Sequence, residues 1–171
     1  MPDASRSMTL VMGGARSGKS RHAEGIVTAL PGPWRYIATA QPLDAEMEAR
    51  IAEHRARRGA EWTTIEAPLD LADALDAAGP YPALVDCLTL WLANLLLGGH
   101  EVDTATRGLD AALDRRVAPT VLVANEVGLG IVPENALARA FRDAAGRLNQ
   151  HLAGRADRVL FLVAGLPMRV K

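Results

Sequence analysis

One octapeptide constrains this chain more than any other segment: Gly13-Gly14-Ala15-Arg16-Ser17-Gly18-Lys19-Ser20. It matches G-x-x-x-x-G-K-[ST], in which glycines let backbone N–H groups wrap a phosphate while the lysine and hydroxyl meet its outer charge and its magnesium ion. Such a loop needs a strand before it and a helix after it. The apolar run Met8–Met12 precedes it and a helical pattern over Lys19–Leu30 follows, so a helix N-terminus faces the same anion. Lysine is otherwise scarce: 17 of the 19 basic residues are arginine, and Lys171 is the other lysine. A compact point charge, rather than a planar fork, suits a terminal phosphate cradled by backbone. The plain alternative is a glycine-rich turn opening a helix, which the strand–loop–helix order disfavours.

The rest of the chain keeps the rhythm of an α/β domain. Short apolar runs predict strands at Met8–Met12, Arg35–Thr39, Trp62–Glu66, Ala83–Asp86, Thr120–Asn125 and Val159–Ala164. Between them, helical spacing predicts helices at Lys19–Leu30, Asp44–Arg58, Leu69–Ala78, Leu88–Leu97, Asp103–Arg116 and Asn135–Ala153. Strands apolar on both faces belong in a mainly parallel sheet flanked by helices. Gly32-Pro33, Gly79-Pro80 and Gly98-Gly99 punctuate helix ends, and Gly98–Arg107 reads as an exposed loop. With 171 residues, 49% hydrophobic and 23% charged, the expected organisation is one catalytic domain over residues 8–171 behind a flexible extension at 1–7. A net charge of −1 excludes a broad basic field for nucleic acid, so any anion is held locally. The single cysteine, Cys87, excludes an internal disulfide and a multi-cysteine zinc site, and fits the cytoplasm. No apolar run is long enough to span a membrane.

Three further segments carry chemistry. The strand Ala83-Leu84-Val85-Asp86 ends in a carboxylate that, with the Ser20 hydroxyl, can hold Mg²⁺ directly or through water. The helix after Leu43 starts with Asp44, Glu46 and Glu48 and ends with Arg55, Arg57 and Arg58, in keeping with the helix dipole. His54 stands within a turn of Arg50, Arg57 and Arg58. Guanidinium groups there would neutralise phosphate oxygens and disfavour imidazolium, which suits a histidine nucleophile. The same His54 also extends an apolar stripe of Leu43, Met47 and Ile51, so spacing alone leaves a packing role open. The third segment, Asn125-Glu126-Val127-Gly128-Leu129-Gly130-Ile131-Val132-Pro133, follows a strand and either shapes a pocket or is an ordinary loop. His22, His100 and His151 lack ligand-spaced partners, Cys87 reads as inert core, and Trp34, Trp62 and Trp91 read as core or interface.

Taken together, these pieces resemble the bifunctional adenosylcobinamide kinase and adenosylcobinamide-phosphate guanylyltransferase family of cobalamin biosynthesis. The resemblance rests on residues 13–24, 36–40, 44–58, 85–89, 125–133 and 141–150, in that order along nearly the whole chain. It implies a phosphate-loop NTPase of RecA-like topology, using GTP and ATP with Mg²⁺ on the substrate adenosylcobinamide. The implied reactions are phosphorylation of its aminopropanol hydroxyl, then transfer of GMP from GTP onto that phosphate. By the same resemblance His54 carries the GMP as a phosphoramidate, and Lys19 serves catalysis at the loop. Nucleotide contacts carry over to Gly13, Gly14, Ala15, Arg16, Ser17, Gly18, Lys19 and Ser20, to Ala38, Thr39 and Ala40, to Arg55, Ala56, Arg57 and Arg58, and to Glu66 and Asp86. A homo-oligomer, specifically a trimer, is implied as well. Two departures stand out: Gly98–Arg107 is shorter than in enteric members, and Asp86 stands where some members carry glutamate. Glu126, at a strand's carboxyl end, is a candidate base for the kinase step. The competing readings are a monofunctional small-molecule kinase with a structural His54, and a nucleotide-dependent binding module.

Overall fold

The computed structural model describes residues 6–171, apart from the side chain of Arg50. Of the extension expected at 1–7, residues 1–5 therefore lie outside the described residues; Arg6 donates to the Arg116 and Asp114 carbonyls, and the Ser7 carbonyl accepts from Thr120 N–H.

Six strands run parallel: β1 (Met8–Gly13), β2 (Trp34–Ala38), β3 (Trp62–Glu66), β4 (Ala83–Asp86), β5 (Thr120–Asn125) and β6 (Arg158–Val163). A seventh, β7 (Leu166–Arg169), folds back antiparallel to β6. The sheet order is β3-β2-β4-β5-β1-β6-β7. Six helices connect and cover it: α1 (Lys19–Thr28), α2 (Ala45–Arg57), α3 (Leu71–Ala77), α4 (Leu88–Leu97), α5 (Val102–Arg115) and α6 (Ala136–Arg155).

Alternate strand residues feed two separate cores, which is why the strands read as continuous apolar runs. Leu10, Ile37, Val85 and Leu122 point to one face and meet Leu71, Trp91, Leu109 and Leu152 from α3, α4, α5 and α6. Val11, Tyr36, Leu84 and Val121 point to the other and meet Ala23 and Val27 of α1. Helix α2 belongs to neither core. Its Asp44 cap accepts from Met47 N–H, yet none of its described residues is buried. One expectation needs correction, and one strand was not expected. Gly98–Arg107 is not all loop, because α5 starts at Val102 and anchors itself through buried Leu109 and Ala112. The short strand β7 went unpredicted, since its Leu-Pro-Met-Arg sequence is exposed throughout.

Candidate active site

The carboxyl ends of β1, β2, β4 and β5 come together because these strands are neighbours in the parallel sheet, the place where open α/β sheets bind ligands. The phosphate loop leaves β1 at Gly13, where a Cβ would lie 2.5 Å from Ser17 Oγ and 2.9 Å from the Leu162 carbonyl oxygen. No other residue fits so close an approach. Gly18, at φ 87°, turns the chain into α1 without a side-chain cap, so first-turn N–H groups remain for an anion. Lys19 is 9% exposed, and its ammonium donates to the Gly14 carbonyl at 3.0 Å, arching back across the loop.

Beside the loop lies a cavity of about 250 Å³. Ala15, Arg16, Lys19 and Ser20 form one wall, and Ala38 and Ala40 continue it from the end of β2. The opposite wall is α2, which turns Met47, Ile51 and His54 toward the cavity. The helical stripe therefore faces open space rather than a core, and Leu43, expected to join it, is 74% exposed. That placement removes the packing explanation for His54.

Around the imidazole, charge is arranged differently from the expected ring of arginines. Among the described side chains, one guanidinium reaches it: Arg57 Nη2 lies 3.4 Å from His54 Nδ1 and 3.5 Å from Glu24 Oε1. Arg55 turns instead to Glu66 at 2.7 Å, and Arg58 stacks 3.6 Å above the Tyr36 ring. The other neighbour of His54 is a carboxylate, with Asp86 Oδ2 4.0 Å from Nδ1. Tyr36 donates its hydroxyl to that same oxygen at 2.9 Å. Burial, then the Asp86 charge, raises the Tyr36 phenol far above its ordinary pKa, so it stays a donor.

The other expected contacts separate into lining and support. Arg55, Arg58, Glu66 and Asp86 line the cavity; Ala56 is exposed on the outer side of α2. Thr39 is fully buried, its hydroxyl donating to the Cys87 carbonyl at 2.7 Å and accepting from Cys87 N–H at 2.8 Å, which ties the ends of β2 and β4. Asn125 lines the cavity with a buried Oδ1 that has no partner among the described residues. Glu126 folds over its own turn, accepting from Gly128 N–H at 2.6 Å, and does not line the cavity. His22 is half-buried on α1, His100 is exposed, and His151 pairs with Asp110 at 2.8 Å. Cys87 is buried with its thiol pushed up to about 12, chiefly by desolvation. Sequence reasoning missed Tyr36 as the partner of Asp86. Both residues were in view, but the strand register that sets Tyr36 beside Leu84 and Ala38 beside Asp86 was not.

Comparison with known proteins identifies relatives along nearly the whole chain. The family model described as "Cobinamide kinase / cobinamide phosphate guanyltransferase" matches residues 9–170. A Pseudomonas aeruginosa protein named bifunctional adenosylcobalamin biosynthesis protein CobP is 51% identical over 95% of this chain and 96% of its own length. A Salmonella typhimurium protein named bifunctional adenosylcobalamin biosynthesis protein CobU is 47% identical over 96% of this chain and 99% of its own. Among solved structures, a prototypical ATPase from the type III secretion system of pathogenic bacteria superposes with a TM-score of 0.60 at 11% identity. That match covers 96% of this chain and 57% of that one. This last likeness concerns the fold alone, and it agrees with the mainly parallel sheet flanked by helices. A family match over nearly the entire length, with two relatives near half identity, decides the matter: the chain belongs to the cobinamide kinase / cobinamide phosphate guanyltransferase family.

Proposed function

We propose that this enzyme phosphorylates the aminopropanol hydroxyl of adenosylcobinamide with ATP or GTP, then transfers GMP from GTP to the resulting phosphate through His54. The observation that carries the reading is a single cavity with Lys19 of the phosphate loop on one wall and His54 of α2 on the other. One triphosphate spanning it meets backbone N–H groups and Lys19 with its outer phosphates and the imidazole with its innermost phosphorus.

In the kinase step the substrate hydroxyl oxygen attacks the γ-phosphorus, its proton is released to water, the bond to the bridging oxygen breaks and the nucleoside diphosphate leaves, while Lys19 and the loop N–H groups hold the charge that develops. In the guanylyl step a ring nitrogen of His54 attacks the α-phosphorus and pyrophosphate leaves. The cobinamide phosphate oxygen then attacks the same phosphorus, the N–P bond breaks, and His54 is restored. The Arg55–Glu66 pair at the cavity wall opens to the nucleotide, giving a cation for phosphate or ribose and a carboxylate for base N–H donors.

Ser20 and Asp86 both offer hard oxygens to this cavity, and among the described residues no three His, Cys, Asp or Glu side chains are grouped so as to hold a metal ion by themselves. Magnesium held by these two would complete its shell with phosphate and water, which suits the ion. When bound, it neutralises charge on the phosphate oxygens.

The test is labelling with α-³²P GTP and Mg²⁺ followed by denaturation. Acid-labile, alkali-stable label is expected on the wild type. It should be absent from His54→Ala, which still binds nucleotide, and both half-reactions should be lost in Lys19→Ala. Label persisting without His54 would give the nucleophile's role to another residue. Loss of guanylyl transfer alone, with no covalent label at any stage, would leave a monofunctional kinase.

A trimer is the assembly we infer from the family resemblance; Leu129, Ile131 and Val132, exposed at 82%, 97% and 60% on one loop, offer a surface for self-association without setting its number. Cytoplasmic placement is supported by the unpaired Cys87 thiol, and no helix among the described residues is long and apolar enough to cross a membrane.

A further inference from the structure

Two groups compete for one atom of the nucleophile. Arg57 Nη2 lies 3.4 Å from His54 Nδ1, and Asp86 Oδ2 lies 4.0 Å from the same nitrogen. A guanidinium N–H can only donate, so pairing with Arg57 demands a lone pair at Nδ1 and sends the ring proton to Nε2. A carboxylate can only accept, so pairing with Asp86 demands the proton at Nδ1 and leaves Nε2 with its lone pair. The two neighbours favour opposite tautomers. Among the described residues the polar contacts of the ring both fall on Nδ1 and none on Nε2.

We propose that Asp86 is the positioning residue that arms His54: it draws the ring proton to Nδ1, so that Nε2 attacks the α-phosphorus, and Arg57 holds the ring in the unreactive tautomer until a nucleotide phosphate takes that guanidinium. This rests on the reading of His54 as the guanylyl acceptor. The carboxylate is itself fixed, since the Tyr36 hydroxyl donates to Oδ2 at 2.9 Å and Arg58 lies over the Tyr36 ring. Closure by about 1 Å turns the 4.0 Å separation of Nδ1 and Oδ2 into a hydrogen bond. Arg57 has a second partner in place, Glu24 Oε1 at 3.5 Å, so its swing away from Nδ1 leaves no bare cation.

The step balances. The Nε2 lone pair forms the N–P bond, the bond from the α-phosphorus to the bridging oxygen breaks, and its electron pair departs with pyrophosphate. The ring keeps its Nδ1 proton and gains positive charge, which faces Asp86. Attack by the cobinamide phosphate then returns the electron pair to Nε2. The Tyr36 and His54 contacts both use Oδ2, so neither engages Oδ1, the oxygen left for a magnesium ion or its water.

The tautomer is read directly from two-bond ¹H–¹⁵N spectra of the His54 ring, assigned by difference from His54→Ala. Spectra are taken with EDTA at about pH 8.5, where an ordinary imidazole is neutral. Arg57→Gln should move the free ring to Nδ1–H. Adding Asp86→Asn should return it to Nε2–H, and Tyr36→Phe should weaken the Nδ1–H preference while leaving the carboxylate. A ring that stays Nδ1–H in the double variant overturns the role of Asp86. Wild type with α,β-methylene-GTP, whose carbon bridge blocks pyrophosphate departure, should adopt Nδ1–H; Nε2–H in that complex overturns the release of Arg57. In single-turnover labelling at saturating GTP, Asp86→Asn should slow the covalent step by about 100-fold or more, as amide replacement does in catalytic triads. An unchanged rate overturns the proposal while leaving His54 as acceptor. Absence of label from the wild type instead overturns the guanylyl-histidine reading beneath it.

Discussion

Arginine fills nearly every cationic position of this protein, and Lys19, one of the two exceptions, is explained at the scale of a single residue. Lys19 must bend back to the Gly14 carbonyl inside a glycine-lined turn, where a planar fork would not fit. Its position was legible from its eight-residue setting because the geometry of the loop is almost entirely local. The carboxylate beside His54 was not: Asp86 comes from β4 and is held by Tyr36 of β2, and only sheet register brings those two together. Cys87 makes a further residue-scale prediction. Burial raises its thiol from 9.0 to about 12, so the folded chain holds a proton that the unfolded chain releases between those values. This contribution to stability is present below about pH 9 and is lost as pH rises toward 12. Native protein should resist iodoacetamide at neutral pH and react once unfolded in urea. Cys87→Ala should flatten the alkaline limb of the stability curve, which urea midpoints measured across that range will show.

Elements were readable where both ends of the pattern were strong. Ala83–Asp86, Thr120–Asn125 and Leu88–Leu97 form as expected, since apolar strand centres and a helix with only Thr89 and Asn94 polar leave little choice of partner; Trp62–Glu66 forms too, as an edge strand paired to β2. The strand β7 escaped because Pro167 weakens any strand reading and its residues are all exposed, which is tolerated only at an edge. Arg116, just beyond α5, fastens elements that sequence could not connect. It is 5% exposed, and its guanidinium donates to Thr120 Oγ1 and to the carbonyls of Leu75, Gly79 and Tyr81. Those acceptors lie after α5 and at the end of α3, so this one fork closes the end of the sheet opposite the phosphate loop. Arg116→Met should therefore cost about 2–4 kcal/mol by stranding several buried acceptors. Urea unfolding will measure the loss, and guanylyl labelling of the surviving folded fraction should persist.

At the scale of the whole molecule, the sheet order places β1 between β5 and β6, and this alone carries the loop's neighbours. Assembly was reachable only through resemblance, because exposed apolar residues on one loop name a sticky surface without counting its copies. Sedimentation equilibrium should give three times the 18.2 kDa chain mass, and Ile131→Asp should shift it toward one. A mass of one or two chains for the wild type would refute the trimer. The hairpin of β6 and β7 has a quieter effect. Gly165 N–H donates to the Ser17 carbonyl at 3.0 Å, and Gly165 Cα would sit 3.4 Å from any Cβ placed on Gly18. Trimming the chain from Leu166 onward, or fusing bulky cargo to Lys171, would thus loosen the grip on triphosphate at the far end of the polypeptide. An affinity handle for purification belongs on the opposite terminus.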